Sequence, residues 1–361
     1  MTLRRIALAF VVLLALAIGA LAVFQRQIGA RMLERIADTQ VGRDTVATLP
    51  DGVNVALCGT GSPMPDPTRA GPCSVVMVGG KVFLVDSGEG SARNLARMGI
   101  PAARIEAIFL THYHSDHIDG LAPVLLQRWV GGSHTQPPPL FGPEGVDSVA
   151  AGFNAAYALD GGYRTAHHGA ALAPPSGHGA TPQTFRAEAA AAPKGLVVYR
   201  ADGLVVTAFT VNHEPVAPAV GYRFDYAGRS VVFSGDTAVS SHLNTVAAGA
   251  DLLVHEALQP ALLSAIDERL DNRGLANLAQ IMRDIVDYHS TPEQAADAAR
   301  AAGVDALVLN HLVPPQPLDY GYAAFLGDAK KHYAGPITVG EDGMLFSLPR
   351  GTDTILRRRL F

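Results

Sequence analysis

The sequence predicts a mixed α/β fold in which short buried strands alternate with helices. Two observations support this class. The order strand, turn, helix recurs in both halves of the chain, and apolar strands repeatedly stop at a histidine or an acidic residue. Hydrophobic residues make up 48% of the 361 residues, which is ample for a core, and the 37 glycines and 24 prolines suit many turns. This length fits one large domain or two modest ones.

The first half of the chain carries apolar runs separated by turn residues. Gly79-Gly80-Lys81 joins two of these runs as a hairpin, and helices are predicted at residues 91–98 and 121–129. The predicted strands are residues 53–58, 74–78, 82–85 and 108–110. Polar clusters therefore begin directly after two buried strands, at Asp86 and near His112.

The second half repeats this alternation. Thr291 followed by Pro292 predicts the N-terminus of a helix that extends to residue 302. The predicted strands are residues 204–211, 221–224, 230–233, 251–254 and 306–309. Because α/β folds collect catalytic groups at strand ends, the polar residues that end these strands are candidates for one shared site.

Residues 1–24 form a separate apolar segment. Arg4 and Arg5 precede an uncharged apolar run, residues 6–24, that is close to the length needed to cross a bilayer and is also typical of an export signal. A retained membrane anchor and a cleaved signal peptide both fit this run. Either one places the rest of the chain outside the cytoplasm, in a periplasmic or other extracytoplasmic location.

The rest of the chain is expected to form a connector and one domain. Residues 25–49 are a polar connector with helical composition, and residues 50–361 are the main domain. Within it, residues 131–195 are rich in Gly, Ala, Pro and His, and their composition predicts a long low-order insertion acting as a loop or lid.

The charge balance argues against a broad basic surface for nucleic acid, since the net charge is −5 and the pI is about 6.2. In residues 131–195, acidic residues outnumber basic ones. The basic residues there are Arg164, Arg186 and Lys194, and the acidic ones are Glu144, Asp147, Asp160 and Glu188. Because phosphate neutralisation supplies most nucleic-acid affinity, nucleic acid ranks below a small molecule as the expected partner without being excluded.

Cys58 and Cys73 are the two cysteines of the chain. An oxidising compartment would allow them to pair. Each also borders an apolar run, so two buried free thiols are equally consistent with the sequence.

Four residues of metal-binding type follow one predicted strand: His112, His114, Asp116 and His117. His112 and His114 are two positions apart, so on an extended backbone their side chains point to the same side. Neutral imidazoles and a carboxylate suit zinc, iron or manganese. We therefore expect at least one metal centre here, and two adjacent centres are favoured.

The spacing H-x-H-x-D-H at residues 112–117 resembles the metal-binding motif of the metallo-β-lactamase superfamily. Two later segments resemble its tRNase Z and arylsulfatase branch, namely His255-Glu256-Ala257-Leu258 and His289-Ser290-Thr291. The resemblance covers roughly residues 50–345. It implies a four-layer αββα sandwich, in which two sheets pack face to face with helices outside.

The resemblance also implies seven ligands for two divalent ions. His213, Asp236 and His311 match the later ligand motifs of the superfamily in chain order. The implied arrangement is His112, His114 and His213 on the first ion, Asp116, His117 and His311 on the second, and Asp236 bridging both. Two Zn²⁺ are the expected cofactors, with Mn²⁺ or Fe as alternatives, and their chemistry is the activation of a water molecule.

Further roles follow from the same resemblance. Glu256 and His289 would act together, with His289 giving a proton to the leaving oxygen; a capping network around the helix after Thr291 is the alternative for this pair. Asp116 would orient the attacking water or accept its proton. Asp86 would lie behind the ligands and orient them, and capping of the helix at residue 91 is its alternative.

These residues predict a dinuclear zinc-dependent hydrolase of phosphodiesters or related small esters, aryl sulfates included. Alternatives are a tRNA 3′-end endonuclease resembling ribonuclease Z, a lactonase or β-lactamase, and a metal-stabilised binding module without turnover. The expected partners are a small-molecule ester, a membrane through residues 6–24 if these are retained, and a second copy of the chain in a homodimer.

Overall fold

The computed structural model describes residues 2–361, which divide into two units at Asp44 and Thr45. The first unit consists of helix α1 (Leu3–Val23) and helix α2 (Gln25–Gln40), and none of their described side chains is buried. By length and composition, α1 could cross a membrane. The predicted connector is therefore helical over most of its length.

The second unit contains the elements that position the predicted site. Its strands are β1 (Gly52–Gly59), β2 (Cys73–Val78), β3 (Lys81–Val85), β4 (Ile105–Phe109), β5 (Pro139–Gly142), β6 (Thr181–Thr184), β7 (Leu196–Ala201), β8 (Leu204–Thr210), β9 (Val220–Tyr226), β10 (Arg229–Phe233), β11 (Leu252–Leu258), β12 (Ala306–Val313), β13 (Ile337–Val339), β14 (Met344–Pro349) and β15 (Leu356–Arg359). Its α-helices are α3 (Ser91–Met98), α4 (Ser115–Ile118), α5 (Leu121–Gly132), α6 (Val146–His168), α7 (Ala187–Ala190), α8 (Ser241–Val246), α9 (Pro260–Asn272), α10 (Ala276–Asp284), α11 (Pro292–Ala302), α12 (Tyr322–Leu326) and α13 (Ala329–His332).

The strands form two mixed sheets that pack face to face. The strand order is β15-β14-β1-β2-β3-β4-β5-β6 in the first sheet and β13-β12-β11-β10-β9-β8-β7 in the second. Apolar side chains from both sheets fill the space between them. Helices α3 and α5 pack on the outer face of the first sheet, and α8 and α11 on that of the second. The predicted αββα order is confirmed.

Strand β1 shows why these strands have nearly continuous apolar sequences. Val53, Val55 and Leu57 contribute to the core between the sheets, whereas Ala56 and Cys58 face the outer core beneath the helices. Because successive side chains of a strand point to opposite faces, a strand covered on both faces is apolar at nearly every position. Asn54 is the polar exception in β1, and its side chain donates a hydrogen bond to the carbonyl of Pro50.

Residues 131–195 are not the low-order segment that their composition predicts. Strands β5 and β6 extend the first sheet by parallel pairing, and α6 is 23 residues long. On α6, Asn154 donates a hydrogen bond to the carbonyl of Ala180 and accepts one from its amide. The prediction failed because proline, which is tolerated in edge strands, masks the strand pattern, and α6 lacks a strong apolar stripe.

Cys58 and Cys73 form a disulfide, with a Cα–Cα distance of 5.0 Å. The bond closes a loop over a sequence separation of 15, so replacing both cysteines by alanine is expected to lower the free energy of unfolding by about 3 kcal/mol. Urea unfolding with and without reductant tests this. Reductant should destabilise the natural protein to a similar extent and leave the double variant unchanged; a natural protein that is insensitive to reductant would contradict the pairing.

Candidate metal centre

The seven predicted ligands come from distant parts of the chain and meet at strand ends. His112 and His114 follow β4, and α4 carries the next two ligands of the motif. Across the described residues, three groups have ligand atoms that all lie within 4.8 Å of one another, and two of these groups together contain all seven predicted ligands. These two groups are His112, His114, His213 and Asp236, and separately Asp116, His117 and His311. These two groups contain the residues that the resemblance assigns to two metal ions.

Asp236, which follows β10, lies between the two groups. Its Oδ2 atom is 3.2 Å from Nε2 of His311 and 3.3 Å from Nε2 of His117. The same oxygen is 3.8 Å from Nε2 of His112, which belongs to the other group. A carboxylate in contact with both groups is in the position that a bridging ligand requires.

The second nitrogen of two histidines is held by a neighbouring acceptor. Nδ1 of His213 donates to the carbonyl of Tyr288 at 2.9 Å, and Nδ1 of His117 donates to Oδ2 of Asp86 at 2.9 Å. These contacts fix the tautomer and leave Nε2 of each ring free to face the cluster.

Asp86 contacts the cluster through His117. Besides His117, it accepts hydrogen bonds from the amide and the hydroxyl of Thr111. The N-cap of α3 is Gly90, so the helix-capping alternative for Asp86 is wrong. Asp86 has a φ of 58°, a costly conformation for a residue other than glycine, and such strain concentrates at functional sites.

A β-bulge in β12 places His311. The pairing of β11 with β12 shifts register at this point, with Glu256 opposite Asn310 and Ala257 opposite Leu312. His311 has a φ of 46°. Because bulges redirect side chains next to active sites, this irregularity explains how a residue inside a strand reaches the cluster.

Burial and charge set the protonation of the cluster. Burial lowers the pKa of His112, His114 and His213, which favours the neutral imidazoles that metals bind. Burial would raise the pKa of Asp236, but the nearby His311 and His117 outweigh it and hold that pKa well below its ordinary value. The carboxylate is therefore ionised.

The cluster also has an excess of buried negative charge. Burial lowers the pKa of His117, yet the carboxylates of Asp236, Asp86 and Asp116 outweigh this and raise it well above its ordinary value. The surroundings of His117 thus favour positive charge, which a divalent cation would supply directly.

Unsatisfied polar atoms provide an independent test of the fit to a metal. Among the described residues, Nε2 of His117 and Oδ1 of Asp236 are buried without a hydrogen-bond partner. A buried polar atom left unpaired costs about 1–3 kcal/mol. Coordination of a metal would use the lone pair of the His117 nitrogen and that of the Asp236 oxygen. The set of imidazole nitrogens and carboxylate oxygens suits zinc. The residues fit a metal pair.

Glu256 and His289 form a buried pair beside the cluster. Oε1 of Glu256 accepts hydrogen bonds from Nδ1 of His289 at 3.1 Å and from the amide of Ser290 at 2.8 Å. One ring nitrogen of His289 lies within 4.8 Å of ligand atoms of Asp236 and His311. The structure therefore brings His289 to the edge of the metal site.

The N-terminus of α11 has its own capping residues. The capping box of α11 is made by Thr291 and Gln294, each of which bonds the backbone amide of the other. The capping box therefore uses neither Glu256 nor His289.

A cleft of about 220 Å³ opens beside the cluster. Predicted ligands line one part of this cleft, and an apolar wall forms another part. The wall consists of Met64, Ile281, Ile285, Tyr288 and Val313. The ring of Tyr288 packs edge-on against His213 with centroids 4.8 Å apart. Sequence reasoning missed this wall and also missed Thr111; the only available signals were the positions of Tyr288 and Thr111 next to predicted site residues.

Comparison with known proteins agrees with the site. A family model described as a beta-lactamase superfamily domain matches residues 81–312. The chain is 40% identical over 293 residues to ribonuclease Z of Mycobacterium avium, covering 80% of this chain and 96% of the relative. It is also 40% identical over 264 residues to ribonuclease Z of Mycolicibacterium gilvum, covering 73% and 85%.

Solved structures share the fold. The short form of human tRNase Z has a TM-score of 0.58 at 24% identity, covering 82% of this chain and 99% of that one. The metallo-β-lactamase fold protein YhfI from Bacillus subtilis has a TM-score of 0.58 at 19% identity with the same coverage.

The fold and the clustered ligands define a metal-dependent hydrolase with the metallo-β-lactamase fold. Within that class, the chain belongs to the beta-lactamase superfamily and to its ribonuclease Z branch. The names of these relatives support phosphodiesterase chemistry. They do not support the arylsulfatase side of the resemblance, nor the expectation that a small ester ranks above nucleic acid as the substrate.

Proposed function

We propose that this enzyme cleaves a phosphodiester bond in RNA, in the manner of a ribonuclease Z. The single observation that carries the proposal is the Glu256–His289 pair beside the ligand cluster, in a chain that aligns with 96% of a ribonuclease Z at 40% identity. A ribose oxygen is a poor leaving group, so its departure benefits from a positioned acid.

The proposed cofactors are two zinc ions. The proposed ligands are His112, His114 and His213 for the first, Asp116, His117 and His311 for the second, and Asp236 for both. When bound, the pair would supply Lewis acidity and lower the pKa of a coordinated water to about 7.

The chain's own residues carry the proton transfers in this proposal. His289 donates a proton to the leaving oxygen, and Glu256 holds the ring in position through Nδ1. Asp116, whose Oδ2 lies 3.3 Å from Nε2 of His311, orients the attacking water or accepts its proton. The apolar wall that includes Tyr288 excludes water from one side of the cleft.

One set of assays tests the substrate. The purified protein, after its metal content has been measured, is incubated with a precursor tRNA, with bis(p-nitrophenyl) phosphate and with an aryl sulfate. The proposal expects RNA cleavage that His114→Ala abolishes. Turnover of the chromogenic esters with intact RNA would instead support the second candidate.

That second candidate is a phosphodiesterase for small esters. The observation that favours it is that two arginines in residues 131–195 form ion pairs with acidic neighbours. Nε of Arg164 lies 2.7 Å from Asp160, and a nitrogen of Arg186 lies 2.8 Å from Glu188. Paired cations contribute less to phosphate binding than free ones.

We also propose that the catalytic unit works outside the cytoplasm. The support is the apolar helix α1, as a retained anchor or a cleaved signal, together with the Cys58–Cys73 disulfide, because such bonds persist in oxidising compartments. Thiol labelling of intact cells, spheroplasts and lysates tests this. Free Cys58 and Cys73 in freshly trapped cells would contradict it.

Removal of the Asp86 carboxylate should weaken the metal site. Asp86→Ala frees Nδ1 of His117, so the affinity for the metal or the activity should fall by roughly 10- to 100-fold. Chelator competition measures the affinity for the metal. The control is Asp297→Ala, which removes a carboxylate that is exposed to solvent. An unchanged metal affinity in a folded Asp86→Ala protein would exclude the positioning role.

A further inference from the structure

Helix α2 carries a row of exposed apolar side chains along one side. Ile28, Met32 and Ile36 follow one another at four-residue intervals, and Leu33 lies beside them, so the four share one side of the helix. Their side chains are 37%, 58%, 55% and 67% exposed, respectively. A face of this kind in water requires a partner.

Charged residues border that face and occupy the opposite side. At about 100° per residue, Arg35 falls at one edge of the apolar face and Arg26 at the other. Arg31 lies about 40° beyond Arg35, and Glu34 and Asp38 lie across the helix. Arginines at both borders of an apolar face, with acidic residues farthest away, complement a surface that is apolar inside and anionic at its boundary.

The neighbouring element indicates which surface that is. Helix α1 ends at Val23 and α2 begins at Gln25, with Phe24 between them. An 18-residue stretch of α1 has a mean hydropathy of 3.0, and none of that stretch is buried. A helix this apolar partitions into lipid, so only Phe24 separates α2 from a segment suited to the bilayer interior.

We propose that α2 lies along the anionic surface of a lipid bilayer, with Ile28, Met32 and Ile36 in the acyl boundary and Arg26, Arg31 and Arg35 at the headgroups. The surface thereby holds the catalytic unit near a membrane. Contact of this kind does not require α1 to be retained, since amphipathic helices bind reversibly by themselves. The proposal is independent of the substrate.

Site-specific labelling of the full-length protein tests the orientation. Because Cys58 and Cys73 are paired, a single introduced cysteine can be labelled with an environment-sensitive fluorophore. The probe positions are Met32→Cys and Ile36→Cys on the apolar face, and Glu34→Cys and Asp38→Cys are matched controls on the same helix. Each protein is reconstituted in vesicles with and without phosphatidylglycerol.

The expected result is blue-shifted emission at positions 32 and 36, with several-fold stronger quenching by brominated lipid than at positions 34 and 38. Iodide in solution should show the reverse order. Replacing Arg31 and Arg35 by glutamate should reduce lipid quenching in vesicles that contain phosphatidylglycerol. Equal aqueous exposure at all four positions would overturn the proposal, as would probes at 32 and 36 that are shielded from both quenchers, because that pattern indicates pairing with a second copy.

Discussion

Asp236→Ala is expected to abolish hydrolysis and to reduce the bound metal from two ions to one or none. Asp236 is the only residue of the described site whose carboxylate contacts histidines of both ligand groups, His112 on one side and His117 and His311 on the other. A bound metal pair would lose the proposed bridging carboxylate, and the rate should fall on the order of 10³-fold or more. Metal analysis and ester or RNA hydrolysis measure the two effects.

Asp225→Ala is the matched control for this prediction. Asp225 lies on β9 of the same sheet and pairs with Arg223 at 3.0 Å, so its loss should leave the metal content and the rate unchanged. Circular dichroism establishes that both variants fold. Two ions retained in an Asp236→Ala protein with normal turnover would exclude the bridging role.

His289→Ala is expected to slow cleavage of RNA by about 10²- to 10⁴-fold, the usual contribution of a positioned acid. The loss should be much smaller with bis(p-nitrophenyl) phosphate, because p-nitrophenolate leaves without protonation. His242→Ala is the control, since His242 lies outside the site and contacts the carbonyl of Ala192. Equal losses on both substrates would indicate a structural role for His289 in place of proton transfer.

The pH dependence of kcat/KM is a second test of His289 as the proton donor. Burial lowers the pKa of His289, but the Glu256 carboxylate outweighs it and raises the pKa to about 9. The proton needed for donation is therefore present at neutral pH and is lost as pH rises through about 9, so kcat/KM should decline there. The decline should move to lower pH in Glu256→Gln, which removes the charge, and should be absent in His289→Ala.

The metal-binding motif at residues 112–117 could be predicted from the sequence because its ligand-type residues lie close together. His112, His114, Asp116 and His117 stand within six positions after an apolar strand, and few structural roles require that combination. The strand and helix pattern was readable as well. Helix α3 was predicted at residues 91–98 and lies at Ser91–Met98, and Thr291 caps α11 as expected.

Two contacts between residues distant in the chain could not be predicted from the sequence. The sequence left the pairing of Cys58 with Cys73 open, because pairing depends on where β1 and β2 meet. It also left open whether Asp86 caps a helix or contacts His117, since both require only a carboxylate near a strand end. Composition suggested a loose insertion at residues 131–195, where tertiary pairing with the first sheet instead orders β5, β6 and α6.

The amino-acid sequence by itself determined which side chains can bind metal, in what order they occur, and that alternating strands and helices carry them. Only the tertiary structure decided that they converge, because the approach of Asp236 to His112, His117 and His311 depends on two sheets packing face to face and on a bulge at His311. Local preferences act over a few residues, whereas such distances arise from the burial of the whole core.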